Sequence, residues 1–152
     1  MGEMAEISPA EVKRNNYNKF VRKARLVSIV LENLTFKNSP SMHSAPKSEV
    51  KRTVSPKTID SFYSNEKGVC AAKVQWSVHV KQNRKIIASC RAEYVIIYEG
   101  VSGFNKDIAD LFVDNVASVS SYAYFRGLFA HLDWAAEGRS PPLPVFRSNP
   151  KV

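Results

Sequence analysis

A chain of 152 residues, 44% of them hydrophobic, has the size and apolar content of one globular domain with a real core, taken here as residues 1–152. No apolar run approaches the ~20 residues of a membrane span, so no membrane insertion is expected. The net charge of +8 fits either a solvated basic face or a patch for an anionic partner: nucleic acid, anionic lipid or acidic protein.

The N-terminus carries Glu3 and Glu6 and lacks the apolar core of a signal peptide. Met1-Gly2 opens a myristoylation pattern, but Glu6 stands where Ser or Thr is needed. Ser8-Pro9-Ala10-Glu11 is a helix start: Ser8 caps, Pro9 fits the first helical position and Glu11 completes a capping box. The helix is expected over 8–23, with Val12, Phe20, Val21 and Ala24 toward the core. Lys13, Arg14, Lys19, Arg22, Lys23 and Arg25 make this region basic.

A strand is expected over 25–37, with Leu26, Val30, Leu34 and Phe36 on one side and Val27, Ile29 and Leu31 on the other. Apolar residues on both sides predict cover on both faces. Residues 38–68 show no sustained periodicity and are broken by Pro40, Pro46 and Pro56; they read as a long crossover loop, with Lys47, Lys51, Arg52 and Lys57 adding charge. Residues 69–98 read as a hairpin. Cys70, Ala72, Val74, Trp76, Val78 and Val80 alternate with Lys73, Gln75, Ser77, His79 and Lys81. Gln82-Asn83-Arg84-Lys85 supplies the turn. The returning strand presents Ile86, Ala88, Cys90, Ala92, Tyr94 and Ile96 on one face. Cys70 and Cys90 are therefore not cross-strand partners. Without a Cys-x-x-Cys pattern they fit a reduced, cytoplasmic setting with no disulfide.

Gly100-Val101-Ser102-Gly103 reads as a turn, and residues 107–137 as two helices. The second, from about Ser120, is apolar almost all round: Tyr122, Phe125, Phe129 and Leu132 form one face, with Tyr124, Leu128 and Ala135 beside it. Arg126, Asp133 and Glu137 are its polar stripe. Such a helix calls for cover on both sides, and in so short a chain the second cover comes from another subunit. Gly127 permits close approach of a second backbone. Gly138, Pro141 and Pro142 end the helix and open a tail over 138–152.

Catalytic chemistry is not in evidence. His43, His79 and His131 fall in a loop, a strand and a helix, and no two have metal-ligand spacing. Cys90 and His79 point to opposite faces of the hairpin, so they form no nucleophile pair. No enzyme activity, cofactor or metal is expected. The basic first helix, with Tyr17 and Phe20 interleaved, supports a second possibility, a nucleic-acid-binding adaptor. A third is a purely structural subunit whose apolar surfaces are all used in its own assembly.

The segment Ala123-Tyr124-Phe125-Arg126, followed by Pro142-Leu143, resembles the Pro-Tyr-x-Arg-Glu … Pro-Pro-Leu signature of the SecB family of export chaperones. The stretch Leu26 to Phe36 is similar to that family's first strand, and the likeness spans Arg25 to Phe146. The chain departs from it at Ala123, where proline is expected, and at Gly127, where glutamate is expected; it stops soon after Pro144. The resemblance implies an α+β fold, a SecB-like antiparallel sheet with a long crossover loop, an N-terminal helix, and C-terminal helices packed on the sheet and in the oligomer interface. It also implies a homotetramer, a dimer of dimers, with Tyr122, Tyr124, Phe125, Arg126, Gly127 and Phe129 at the interface. The implied activity is that of an ATP-independent holdase for unfolded or nascent polypeptide, guarding an export client or an antitoxin. A client groove is expected at Phe36, Ile59, Phe62, Tyr63 and Trp76. The basic charge argues against docking on the SecA motor, which export-type members reach partly through acidic charge.

Overall fold

The computed structural model describes residues 7–39, 50–136, 138 and 141–145. Expectations placed on Met1-Gly2, Pro40, His43, Pro46, Lys47, Glu137 and Phe146 lie outside the described residues. The first helix, α1 (Pro9–Lys23), starts where the capping residues put it: Ser8 Oγ accepts the Glu11 N–H at 3.2 Å. Its buried residues are Tyr17 and Phe20, while Val12 and Val21 are exposed, contrary to expectation. The helix meets the core along the narrow line through Tyr17, Phe20 and Ala24, a spacing of three and then four that leaves Val12 and Val21 to one side.

Four strands follow: β1 (Arg25–Asn38), β2 (Val50–Ser64), β3 (Val69–Gln82) and β4 (Lys85–Glu99). They form one antiparallel sheet in the order β1-β4-β3-β2. The expected 38–68 loop is corrected: most of its second half is β2, paired with β3 from Val50↔Gln82 to Ser64↔Val69. Its alternation is weak because β2 is an edge strand. The edge position also tolerates Pro56, which has no N–H to give a further neighbour.

The β3–β4 turn places Asn83 at φ 48° and Arg84 at φ 69°, the left-handed pair that a tight two-residue hairpin requires. A register shift between Val80 and Lys81 then buries Ile87 and Ala88 and leaves Ile86 exposed, correcting the assignment of Ile86 to the inner face. Two further shifts break the phase of β1, between Leu26 and Ser28 and between Leu31 and Asn33. Pairing with the inner residues of β4 puts Leu26, Ile29, Leu31, Leu34 and Phe36 on the inner side and Val30 on the outer. The expected double cover of β1 is absent among the described residues: Leu26, Val27, Val30, Leu31 and Leu34 are all exposed.

All the helices lie on one side of this sheet. Asn105 Oδ1 accepts the Ile108 N–H at 3.0 Å and caps α2 (Lys106–Phe112). A π-helical turn over Val113–Ala117 joins α2 to α3 (Ser118–Ala135) without a break. In the core, Trp76 lies against Tyr122 and stacks on Phe125, with ring centroids 4.7 and 5.7 Å away. Its indole N–H donates to Ser121 Oγ at 2.9 Å. A second aromatic group joins Phe20 to Phe104, Phe112 and Tyr63. Gly100, at φ +82°, lets α1 end against the turn after β4, because a Cβ there would stand 2.9 Å from the Lys23 carbonyl oxygen.

Candidate functional site

The residues that follow α3 return along it as a strap. Arg126 Nε donates to the Leu143 carbonyl at 2.8 Å, and the Tyr122 hydroxyl donates to the Pro144 carbonyl. From the β2 edge, the Arg52 guanidinium donates to the Pro141 carbonyl. Leu143 is buried beneath this clasp. Prolines suit the strap because their missing N–H groups leave no donor unpaired away from water. Between the strap and the end of α3 lies a cleft of about 270 Å³, lined by Phe129, Ala130, Asp133 and Trp134 of the helix and by Pro141, Pro142 and Leu143 of the strap. Trp134 is 73% exposed, the most open large apolar side chain among the described residues. The cleft is predominantly apolar and can take up one or two apolar side chains, with no directional chemistry to select them.

The outer arc of α3 continues this surface. Ser118, Ser121, Tyr122, Phe125, Phe129 and Asp133 face inward. Ala123, Tyr124, Gly127, Ala130, His131 and Trp134 face outward, and this arc carries no Lys, Arg, Asp or Glu. Nothing lies within 4 Å of where a Cβ on Gly127 would stand. Asp133, expected in the polar stripe, is buried instead, and its main-chain carbonyl accepts the Gly138 N–H at 2.9 Å. A helix this apolar therefore has one side packed against its own chain and one side exposed among the described residues.

The five residues expected to form a groove are not brought together. Trp76 is fully buried under α3 and reaches no surface, because the face on which it alternates is the one the helices cover. Tyr63 is pinned: its hydroxyl donates to the Val101 carbonyl at 2.7 Å and accepts the Phe104 N–H at 3.3 Å. Phe36, opposite Cys90 on β1, lies on the inner side at one edge of the sheet. Phe62, opposite Ala71 on β2, lies on the outer side at the other edge, 58% exposed. Ile59, at the register shift of β2, is exposed there too. Of the residues expected at an interface, Tyr122, Phe125 and Phe129 are buried within the protomer, Arg126 holds the strap, and Tyr124 and Gly127 stand outside. Sequence reasoning missed the strap and the exposure of Trp134; the signal was the uncharged spacing Tyr124, Gly127, His131, Trp134.

Among the described residues, burial holds the buried thiols and a buried phenol in their protonated forms. Burial pushes the thiols of Cys70 and Cys90 up to about 11, with Asp110 adding to the effect at Cys70. Burial likewise pushes the Tyr94 phenol up to about 12. His79 projects from the outer face and Cys90 from the inner. Among the described residues no group of His, Cys, Asp and Glu is placed to hold a metal ion, and no helix is long and apolar enough to cross a membrane. Tyr17 and Phe20 are buried in the core, so they are unavailable to stack on bases as a nucleic-acid adaptor would require.

No family model and no curated protein matches the chain in sequence. Among solved structures, the chain is similar to a SecB-like chaperone of Mycobacterium tuberculosis in complex with a ChAD peptide from the HigA1 antitoxin. The two share 11% identity at a TM-score of 0.70, over 90% of this chain and 99% of that one. A protein of unknown function from Streptococcus agalactiae aligns at 9% identity and a TM-score of 0.40, over 82% of this chain and 97% of that one. The antiparallel sheet, the helices on one side of it and the extended likeness to the first of these structures together make the fold of this chain SecB-like, in a strongly diverged sequence.

Proposed function

We propose that the protein is an ATP-independent chaperone that holds unfolded or nascent polypeptide. The observation that carries this reading is the coincidence of a SecB-like fold with a bare apolar surface: the strap cleft, Trp134, the outer arc of α3 and the inner side of β1. The Mycobacterium tuberculosis structure contains a peptide from an antitoxin, so a polypeptide client, antitoxin or export substrate, fits this fold. Apolar burial is non-directional and worth about 25 cal/mol per Å², which suits a protein that must accept many sequences. Trp134 and the cleft seat one or two apolar client residues.

The reading includes self-association in the cytoplasm, as a dimer of dimers. Edge strand β1 offers unpaired main-chain groups beside exposed Leu31 and Leu34, and the outer arc of α3 offers Tyr124 around Gly127. The test is aggregation of a chemically denatured client, followed by light scattering, together with the emission of Trp134. Suppressed aggregation and a blue shift on adding client are expected, because Trp76 is already buried and contributes little change. Unchanged scattering at equimolar protein refutes the chaperone reading; suppression that survives W134A intact refutes the place given to the cleft.

A further inference from the structure

The outer face of the sheet, opposite the helices, has a graded chemistry that the apolar cleft does not use. Cross-strand pairing aligns Thr53, His79, Ser89 and Lys37 in one row and Ser55, Ser77, Arg91 and Thr35 in the next. Toward the β3–β4 turn, Lys51 lies opposite Lys81. These rows hold cations and hydroxyls and no carboxylate, and a depression of about 130 Å³ opens among Thr35, Lys37, Ser77, His79, Ser89 and Arg91. None of Lys37, Lys51, Lys81 and Arg91 has an ion-pair partner among the described residues. At the other end of the same face the cations are already matched: Lys73 to Glu32 at 3.1 Å and Arg25 to Glu99 at 2.8 Å. There the surface turns apolar, with Phe62, Ala71 and Ile97 in one row.

We propose that this face is a second docking surface, for an extended polypeptide segment with acidic residues at one end and apolar residues at the other. The acidic end pairs with Lys37, Arg91 and Lys81; the apolar end covers Phe62 and Ile97. Along β3 the Ala71 and Ser77 rows lie about 20 Å apart at about 3.3 Å per residue, so the two ends of the segment are separated by roughly six extended residues. Unmatched positive charge and hydroxyl donors select carboxylates, and the strand-to-strand pleat offers alternate positions to an extended chain. A nucleic acid fits less well. The basic rows contain no aromatic ring on which a base can stack. Four strands at about 4.8 Å spacing, with their side chains, make a face too broad for a major groove about 12 Å wide. The proposal does not rest on the chaperone reading, since the cleft and this face lie on opposite sides of the sheet.

The experiment uses the full chain and fluorescein-labelled peptides of about ten residues, read by anisotropy at low salt: one with an acidic and an apolar end, one all acidic, one with lysine in place of the acids. The acidic–apolar peptide is expected to bind best and the lysine peptide not at all. K37E/R91E, both at exposed positions, is expected to weaken binding at least about tenfold, and F62S by less. K13E/R14E on α1 is expected to leave binding within about twofold. Circular dichroism confirms that each variant is folded, and K37Q/R91Q repeats the test without charge reversal. Binding unchanged in K37E/R91E overturns the proposal, and so does an equal loss in K13E/R14E, which marks a net-charge effect. A DNA duplex that binds as tightly as the best peptide, and is lost with the same substitutions, overturns it in favour of nucleic acid. Loss of aggregation suppression in W134A reports on the cleft, and loss of peptide binding in K37E/R91E reports on the outer face, so failure of either idea is seen separately.

Discussion

β1 and β2 are the two edges of one sheet, and they are held in different ways. β2 is fastened from within the protomer: Tyr63 to the turn before α2, Ser61 Oγ to Asp110 at 3.1 Å, and Arg52 to the strap. β1 pairs with β4 along its whole length yet carries five exposed large aliphatic residues. Among the described residues the polar edge is finished by its own chain and the apolar edge is not. An edge strand left long and apolar is a template for pairing with another chain unless something covers it. The contrast therefore separates the half of the molecule that provides stability from the half available for association.

The largest effect is expected at the fastened side. W76A removes the ring that α3 packs on and leaves the Ser121 hydroxyl without its donor, costing about 3–5 kcal/mol in urea unfolding. A cost near zero would mean that the β2 half is not where stability resides. On the bare side, L31K/L34K is expected to leave urea stability within about 1 kcal/mol, because both residues are exposed, while it shifts the mass in solution to that of the monomer. An unchanged mass would show that β1 is not the associating edge. Y63F removes two hydrogen bonds to the turn before α2 and should cost about 1–2 kcal/mol without altering the mass. The smallest effect belongs to K73A, whose partly exposed pair with Glu32 contributes about 0–1 kcal/mol and weakens with salt.

Alkali offers a further way to separate the two halves. Cys70 and Cys90 have folded pKa values raised from 9.0 to about 11 by burial. The folded protein therefore holds these protons more tightly than the unfolded chain. Their contribution is present below pH 9 and is lost as pH rises from about 9 toward 11. Melting temperature should fall across that window, and iodoacetamide should modify neither thiol in the native state at neutral pH. Rapid alkylation there would place the thiols outside the core.

Much of this architecture was legible in the residues. The strict alternation from Cys70 to Val80 fixed β3 and its buried face, and Ser8-Pro9 fixed the start of α1. The SecB resemblance singled out Arg126 and Leu143, but not that Arg126 holds the Leu143 carbonyl or that Tyr122 holds that of Pro144. Three things were not legible. β2 could not be read, because an edge strand with Pro56 at its centre carries little hydrophobic periodicity. The facing of β1 could not be read, because its two register shifts each move the side chains to the other side. Nor could the groove residues be placed, because composition near one end of a strand does not say which side of the sheet a ring occupies. Trp76 and Phe62 are both aromatic residues of neighbouring strands; one is sealed and the other open.

The π-helical turn between α2 and α3 bears on all of this. A turn of that kind carries one residue more than an α-turn, and each residue advances a helix by about 100°. Losing one residue between Val113 and Ala117 would swing α3 by roughly that angle. The ledge of Gly127 and Trp134 would then roll toward the sheet, and Phe125 out toward solvent. Which flank of the last helix stays dry is thus decided upstream, by a single peptide unit where Asn115 donates to the Tyr17 hydroxyl.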